Sequence, residues 1–169
     1  DQIRGIKKGE LDISFTRDNF QSDEIESKFV LREPLIFILP KEHPLAKYER
    51  IPVQALDGID FIIPSDEQSK MLHDAILNFA KDHGIEFNIV QKADNILFNI
   101  NSIGIGLGCT ILPGYIAPLT MNNTVIRPLD VELPSLDLFV SYRKNSNSTA
   151  VQKFMDLLSK VFYLDFNQS

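Results

Sequence analysis

The sequence predicts an α/β fold, because short apolar strands alternate with amphipathic helices along its 169 residues. The clearest strand is the nearly continuous apolar run IDFIIP at 59–64, which is typical of a buried parallel strand. The clearest helix follows it, with one apolar face running from Met71 to Ala80 and Gly84 as its C-terminal cap. Mainly parallel sheets are therefore expected.

The other elements follow from the same two periodicities. Residues 1–9 have the pattern of the last turns of a helix that ends at Gly9, and a chain that begins inside a helix indicates a fragment. Glu33-Pro34 separates two further apolar runs, and Ser148 begins a C-terminal helix. The remaining strands are predicted at 11–15, 28–31, 35–40, 87–91, 109–113, 124–129 and 136–144, and short helices at 52–56 and from Asp94 or Asn95 to Gly104.

The composition limits the possible functions. The chain has 17 Lys and Arg against 23 Asp and Glu, a net charge of −6, so it lacks the basic stripe of a nucleic-acid-binding domain. No apolar run reaches the roughly 20 residues of a membrane helix. The first residues do not resemble a secretory leader.

Residues with metal-binding or catalytic potential give no support for an enzyme. His73 and His83 are separated by about 15 Å along a helix, which is too far to share a metal, so they and His43 are interpreted as surface histidines. The glycines of GIGLG (104–108) lie between a helix and a strand, the reverse of a dinucleotide-binding loop, and predict a helix cap and a close backbone approach. Cys109 is interpreted as a buried strand residue. No catalytic residue, metal site or cofactor is therefore predicted.

Polar residues at the predicted carboxyl ends of strands are the positive signal for a binding site. They are Thr16-Arg17, Pro64-Ser65-Asp66 and Ala93-Asp94-Asn95. Ligands of open parallel α/β sheets bind at this edge, where helix N-termini offer N–H groups to an anion. Arg17 could bind a carboxylate through two hydrogen bonds. In the alternative interpretation these residues are ordinary helix caps, and Arg17 pairs with a surface acid.

Several longer motifs resemble one family. GELDISFTR, REPLIFILPKEHPLA, LDGIDFIIP and GIGLGCTILPGYIAPL, in that order, are similar to the effector-binding domain of LysR-type transcriptional regulators. LDGIDF, NIVQKADNIL and VIRPLDVELPSL are similar to the subgroup that activates 3-phenylpropionate and cinnamate catabolism.

The resemblance implies two Rossmann-like lobes built like a type 2 periplasmic binding protein. Lobe I would comprise residues 1–63 and 141–169, and lobe II residues 64–140, with the first strands of lobe I missing before Asp1. A small, aromatic carboxylate effector would bind between the lobes, with Arg17 beside it. The other implied ligand-binding residues are Thr16, Pro64, Ser65, Ala93, Asn95, Gly108, Cys109 and Phe139.

The function implied by the resemblance is that of a ligand sensor that controls transcription of catabolic genes through rearrangement of an oligomer. The chain would form a homodimer or homotetramer, with the helices at 2–9 and 70–83 at the contact. Operator DNA would be bound only through an N-terminal domain that is absent from this sequence, and no membrane would be involved. A solute-binding protein of a transport system shares the architecture and is the alternative, and a small α/β enzyme is a third hypothesis.

Overall fold

The computed structural model describes residues 2–120, 122–144 and 148–162. The chain divides into two compact units. Unit 1 consists of residues 1–32 and 137–169, and unit 2 of residues 33–136. The two units are described separately below.

Helices and strands alternate, as the sequence predicts, and the α/β class is confirmed. The helices are α1 (Gln2–Lys8), α2 (Asp66–Asp82), α3 (Ile96–Gly104) and α4 (Thr149–Phe162), and short 3₁₀ helices span Pro44–Lys47, Val53–Leu56 and Gly114–Leu119. The strands are β1 (Ile13–Thr16), β2 (Ile25–Pro40), β3 (Asp60–Pro64), β4 (Asn88–Ala93), β5 (Thr110–Pro113), β6 (Thr124–Arg127) and β7 (Ser135–Arg143).

The strands of unit 2 form a mixed arrangement, not the mainly parallel one that was expected. β3 and β4 are parallel, and a parallel bridge between Phe61 and Cys109 places the start of β5 on the other side of β3. The second half of β2 runs antiparallel to both β5 and β6. Phe37 pairs with Ile111 of β5 on one side and with Arg127 of β6 on the other, so β2 lies between these two strands.

β2 is one strand of 16 residues, although Glu33-Pro34 predicted a break in it. Pro34 has no N–H to donate, but the N–H of Leu35 donates to the carbonyl oxygen of Pro134 at 3.1 Å, so pairing resumes at the next residue. The strand passes from unit 1 into unit 2 after Arg32.

The division of the chain differs from the predicted lobes. Residues 33–63 were assigned to lobe I, whereas the structure groups them with unit 2, because this half of β2 pairs with β5 and β6 while β3 pairs with β4. The boundaries fall after residues 32 and 136, and not at the predicted crossovers of 63–65 and 140–142.

Each unit has its own apolar core. In unit 2, Phe61, Ile62 and Ile63 of β3 are fully buried, and Ile76 of α2 belongs to the same cluster. In unit 1, residues Val30, Val140 and Leu158 form a smaller cluster against one face of the strands. No helix in the described ranges is long and apolar enough to cross a membrane.

Candidate functional site

The carboxyl ends of β3 and β4 form one edge of unit 2, called the carboxyl edge here. Pro64 lies opposite Ala93 in the parallel register, and the N–H of Ser65 donates to the carbonyl oxygen of Ala93 at 2.9 Å. Asn95 follows two residues later as the N-cap of α3. The structure therefore brings together four of the predicted site residues, Pro64, Ser65, Ala93 and Asn95.

The N-terminus of α3 is open to an anion. Asn95 accepts a hydrogen bond from the N–H of Phe98 through its side-chain oxygen at 2.7 Å. The N–H groups of Ile96 and Leu97 have no hydrogen-bond partner among the described residues. The first turn contains no acidic residue, so the partial positive charge of the helix end is not neutralised by its own side chains.

The N-terminus of α2 is electrostatically different. Its first turn carries Asp66 and Glu67, both exposed, which stabilise the helix end but oppose a bound anion. Ser65 is buried, and its hydroxyl makes no capping hydrogen bond. Ser69 departs from helical geometry, with φ −152° and ψ 82°, and ends the first turn. Of the two predicted anion-binding helix ends, only that of α3 has no acidic residue in its first turn, while the exposed Asp94 precedes its N-cap.

Two residues that sequence reasoning missed also lie at the carboxyl edge. His73 donates its Nδ1–H to the carbonyl oxygen of Pro64 at 2.8 Å, which fixes the tautomer of the ring because a carbonyl only accepts. Tyr115 follows the carboxyl end of β5, and its N–H donates to a carboxylate oxygen of Glu33 at 2.9 Å. The rule that selected Ser65 and Asn95, polar residues after a strand, would also have selected Tyr115.

Gly108 and Cys109 lie at the opposite end of β3 and not at the carboxyl edge. The N–H of Cys109 donates to the carbonyl oxygen of Asp60, the first residue of β3, at 2.8 Å. Cys109 is fully buried, and this burial, together with the charge of Asp60, raises the pKa of its thiol to about 12. These two residues therefore do not meet the four at the carboxyl edge, and their role in ligand binding stays a prediction, while the position of Cys109 agrees with its interpretation as a buried strand residue.

Three predicted residues of unit 1 lie close together at the end of β1. Thr16 and Phe139 are directly opposite each other in the antiparallel pair of β1 and β7. Phe139 packs edge-on against Phe29, with ring centroids 6.0 Å apart. Arg17 follows Thr16 and is half-buried.

A chain of buried hydroxyl groups adjoins Thr16 and was not predicted. The Thr16 hydroxyl donates to the carbonyl oxygen of Asp18 at 2.9 Å, and that of Ser27 donates to Phe20 at 2.5 Å. Ser141 lies between them, 3.1 Å from the Thr16 oxygen and 2.6 Å from the Ser27 oxygen. Three hydroxyl protons cannot satisfy four contacts at once, so the Ser141 proton can serve only one neighbour at a time.

The three histidines are half-buried and hydrogen-bonded, which corrects their interpretation as surface residues. His43 accepts from the N–H of Leu45 at 3.2 Å, and burial lowers the pKa of its ring. His83 donates to the carbonyl oxygen of Phe79 at 2.9 Å. Within the part of the chain that the structure describes, no group of His, Cys, Asp and Glu could hold a metal ion.

Comparisons with known proteins identify the class to which these features belong. The family model "LysR substrate binding domain" matches residues 1–162. The chain belongs to this family, as its motifs predicted.

Two curated regulators are similar to this chain over most of its length. The Hca operon transcriptional activator HcaR of Escherichia coli is 33% identical over 159 residues, covering 94% of this chain and 54% of HcaR. The transcriptional regulator CatR of Pseudomonas putida is 26% identical, covering 94% of this chain and 55% of CatR. The chain thus spans about half the length of these curated relatives.

Solved structures agree on the fold. The regulatory domain of Synechocystis CcmR in complex with 2-PG superposes with a TM-score of 0.78 at 21% identity, covering 99% of this chain and 80% of that domain. The BenM effector binding domain with its effector benzoate gives a TM-score of 0.80 at 17% identity, covering 96% of this chain and 74% of that domain. The predicted architecture, an α/β fold of the type 2 periplasmic-binding kind, is therefore confirmed.

Proposed function

We propose that this chain is the ligand-sensing part of a bacterial LysR-type transcriptional regulator and that it binds a small aromatic carboxylate. The observation that carries the proposal is the N-terminus of α3, where two N–H groups without a protein partner meet no acidic side chain in the first turn. This helix end follows the carboxyl end of β4, the edge at which open α/β sheets bind ligands.

Residues of unit 1 would complete recognition of the effector. Arg17 supplies a guanidinium that can bind a carboxylate through two hydrogen bonds, and Phe139 supplies an aromatic face. Thr16 lies opposite Phe139, but its hydroxyl already donates to Asp18, so it would contribute to the shape of the site and not a hydrogen bond to the carboxylate. We propose that these residues of unit 1 contact the effector. The aromatic character of the ligand is supported by the similarity to HcaR and by the benzoate complex of BenM.

The proposed response to the effector is a change in the arrangement of an oligomer. A ligand shifts such an equilibrium only if it binds one arrangement more tightly than the other. We propose a cytoplasmic homodimer or homotetramer that contacts operator DNA through a separate N-terminal domain and activates catabolic genes. The matched relatives are regulators, so the alternative of a transport solute-binding protein is not favoured.

Calorimetry with benzoate, cinnamate, phenylpropionate and muconate tests the proposed ligand class. At least one of these acids should bind, and Arg17→Ala should weaken its binding by about 1.5–3 kcal/mol, the usual contribution of a hydrogen bond to a charged group. Lys153→Ala, which changes an exposed cation of α4, is the control and should leave the affinity unchanged. Equal affinities of the wild type and the Arg17 variant would contradict the role proposed for this residue.

A further inference from the structure

A cavity, called the arginine cavity here, lies in unit 2 beside the pair formed by β2 and β6. Its volume is about 450 Å³, which is within the range of small-molecule sites. Buried apolar residues, among them Leu35 and Leu129, form part of its wall, and Arg50 and Arg127 also line it. None of the site residues predicted from the sequence lines this cavity.

Both arginines are held in place by backbone carbonyl groups. Arg127 donates its Nε–H to the carbonyl oxygen of Ala46 at 3.0 Å and a terminal N–H to that of Ile126 at 3.1 Å. Arg50 donates a terminal N–H to the carbonyl oxygen of Leu129 at 2.6 Å. A guanidinium has more N–H groups than these bonds use, so each arginine keeps donors for a ligand. Because their positions are already fixed, little side-chain entropy is lost when an anion binds.

The charges around the cavity favour an anion. Among the described residues, neither Arg50 nor Arg127 forms an ion pair with a carboxylate. Glu132 also lines the cavity, so the lining carries two positive charges and one negative charge. The whole chain has a net charge of −6, which makes this local excess of positive charge distinctive. A bound anion would offset the repulsion between the two arginines.

We propose that the arginine cavity binds a small organic anion, separately from the effector at the carboxyl edge. The carboxylate would accept hydrogen bonds from Arg50 and Arg127, and the apolar body would lie against Leu35 and Leu129. Glu132 opposes the binding of a second negative charge, so a monoanion is preferred over a dianion.

An NMR titration of the ¹⁵N-labelled protein with benzoate as the probe tests this site. The Nε–H of Arg127 and the backbone amide of Leu129 should shift as the cavity fills, whereas the amides of Ile96 and Leu97 report on the carboxyl edge. The two sets of signals make failure of this proposal distinguishable from failure of the proposed function. Benzoate should bind more tightly than inorganic phosphate or acetate, because only benzoate has a sizeable apolar body. Absence of a shift at Arg127 and Leu129, or equal affinities for the three anions, would overturn the proposal.

Two charge variants should change the affinity for benzoate in opposite directions. Arg50→Gln should weaken benzoate binding at the Leu129 amide by about 10-fold or more, as loss of a charged hydrogen bond predicts. Glu132→Gln should strengthen it several-fold by removing a repulsive charge. The control Lys153→Gln removes an exposed charge in unit 1 and should change neither value. Unchanged affinity in the Arg50 variant, or weaker binding in the Glu132 variant, would contradict the proposed arrangement.

Discussion

Replacing Gly108 with alanine tests how closely the start of β5 packs against β3. An added Cβ atom would lie 2.8 Å from the carbonyl oxygen of Asp60 and 3.0 Å from its carbonyl carbon, with the nitrogen of Phe61 at 3.3 Å. All three neighbours are backbone atoms, so no side chain can rotate away. The strands themselves would have to move apart.

The free-energy cost of moving the strands apart can be calculated from the overpacking and from the hydrogen bonds that join them. Overpacking by one methyl group typically costs about 1–3 kcal/mol. Separation would also weaken the bonds from Cys109 N–H to Asp60 and from Ile62 N–H to Cys109, both 2.8 Å long and each contributing about 1 kcal/mol. We expect Gly108→Ala to lower the free energy of unfolding by about 2–4 kcal/mol and the melting temperature by on the order of 10 °C.

Urea unfolding followed by circular dichroism measures this change, and Gly5→Ala is the matched control. A Cβ at Gly5 would approach Leu11 just as closely, 2.9 Å from its Cδ1 atom, but this atom ends a flexible side chain. Alanine also favours the helix at that position by roughly 0.5–1 kcal/mol. The control variant should therefore be nearly as stable as the wild type. Similar losses in both variants, or none in Gly108→Ala, would refute the backbone-contact argument.

Three further predictions concern single side chains. Asn95→Ala should lower the free energy of unfolding by about 1 kcal/mol, because the α3 cap is lost. Asn95→Asp should keep the stability but weaken effector binding, because it places a negative charge at the helix end. Chemical unfolding measures the first effect and calorimetry the second. Ser141→Ala should change the free energy of unfolding by less than about 0.5 kcal/mol, because Thr16 and Ser27 keep their carbonyl acceptors. Ser27→Ala should lower it by about 1 kcal/mol, because the donor to the Phe20 carbonyl oxygen is removed. A larger loss for Ser141→Ala than for Ser27→Ala in urea unfolding would contradict this hydrogen-bond assignment. The Cys109 thiol should not react with a thiol reagent at pH 8 in the native protein. Because folding raises the pKa of this thiol, the free energy of unfolding should fall as the pH rises from about 9 towards 12. Cys109→Ala should reduce this decline, which urea unfolding at several pH values measures.

Local elements could be predicted because their signals lie within a few residues of one another. The apolar face of α2, the N-cap of α3 and the positive φ of Gly106 after α3 all follow from side-chain type and spacing. Pro34 misled the prediction, since a proline in an apolar run usually ends a strand. Here the missing N–H coincides with the change of pairing partners along β2, which only the tertiary structure shows.

The candidate site was predictable only where position along a strand determines position in the sheet. Pro64, Ser65, Ala93 and Asn95 meet because each lies at or just after the carboxyl end of β3 or β4, and parallel strands align these ends. Gly108 and Cys109 were placed with them by resemblance, whereas the register pairs Cys109 with Phe61, near the amino end of β3. A shift of register along a strand is invisible in the sequence, yet each residue of shift moves a side chain by about 3.3 Å.

The contrast between the helix N-termini of α2 and α3 carries the strongest functional argument in unit 2. Both follow parallel strands at the same edge, and helix geometry alone makes them equivalent as anion sites. The charges of Asp66 and Glu67 remove this equivalence, because they occupy the positive end of α2 that an anion would use. An anionic effector at the carboxyl edge would therefore place its carboxylate at Ile96 and Leu97, where the backbone N–H groups are still available, and its apolar part towards the buried end of β3.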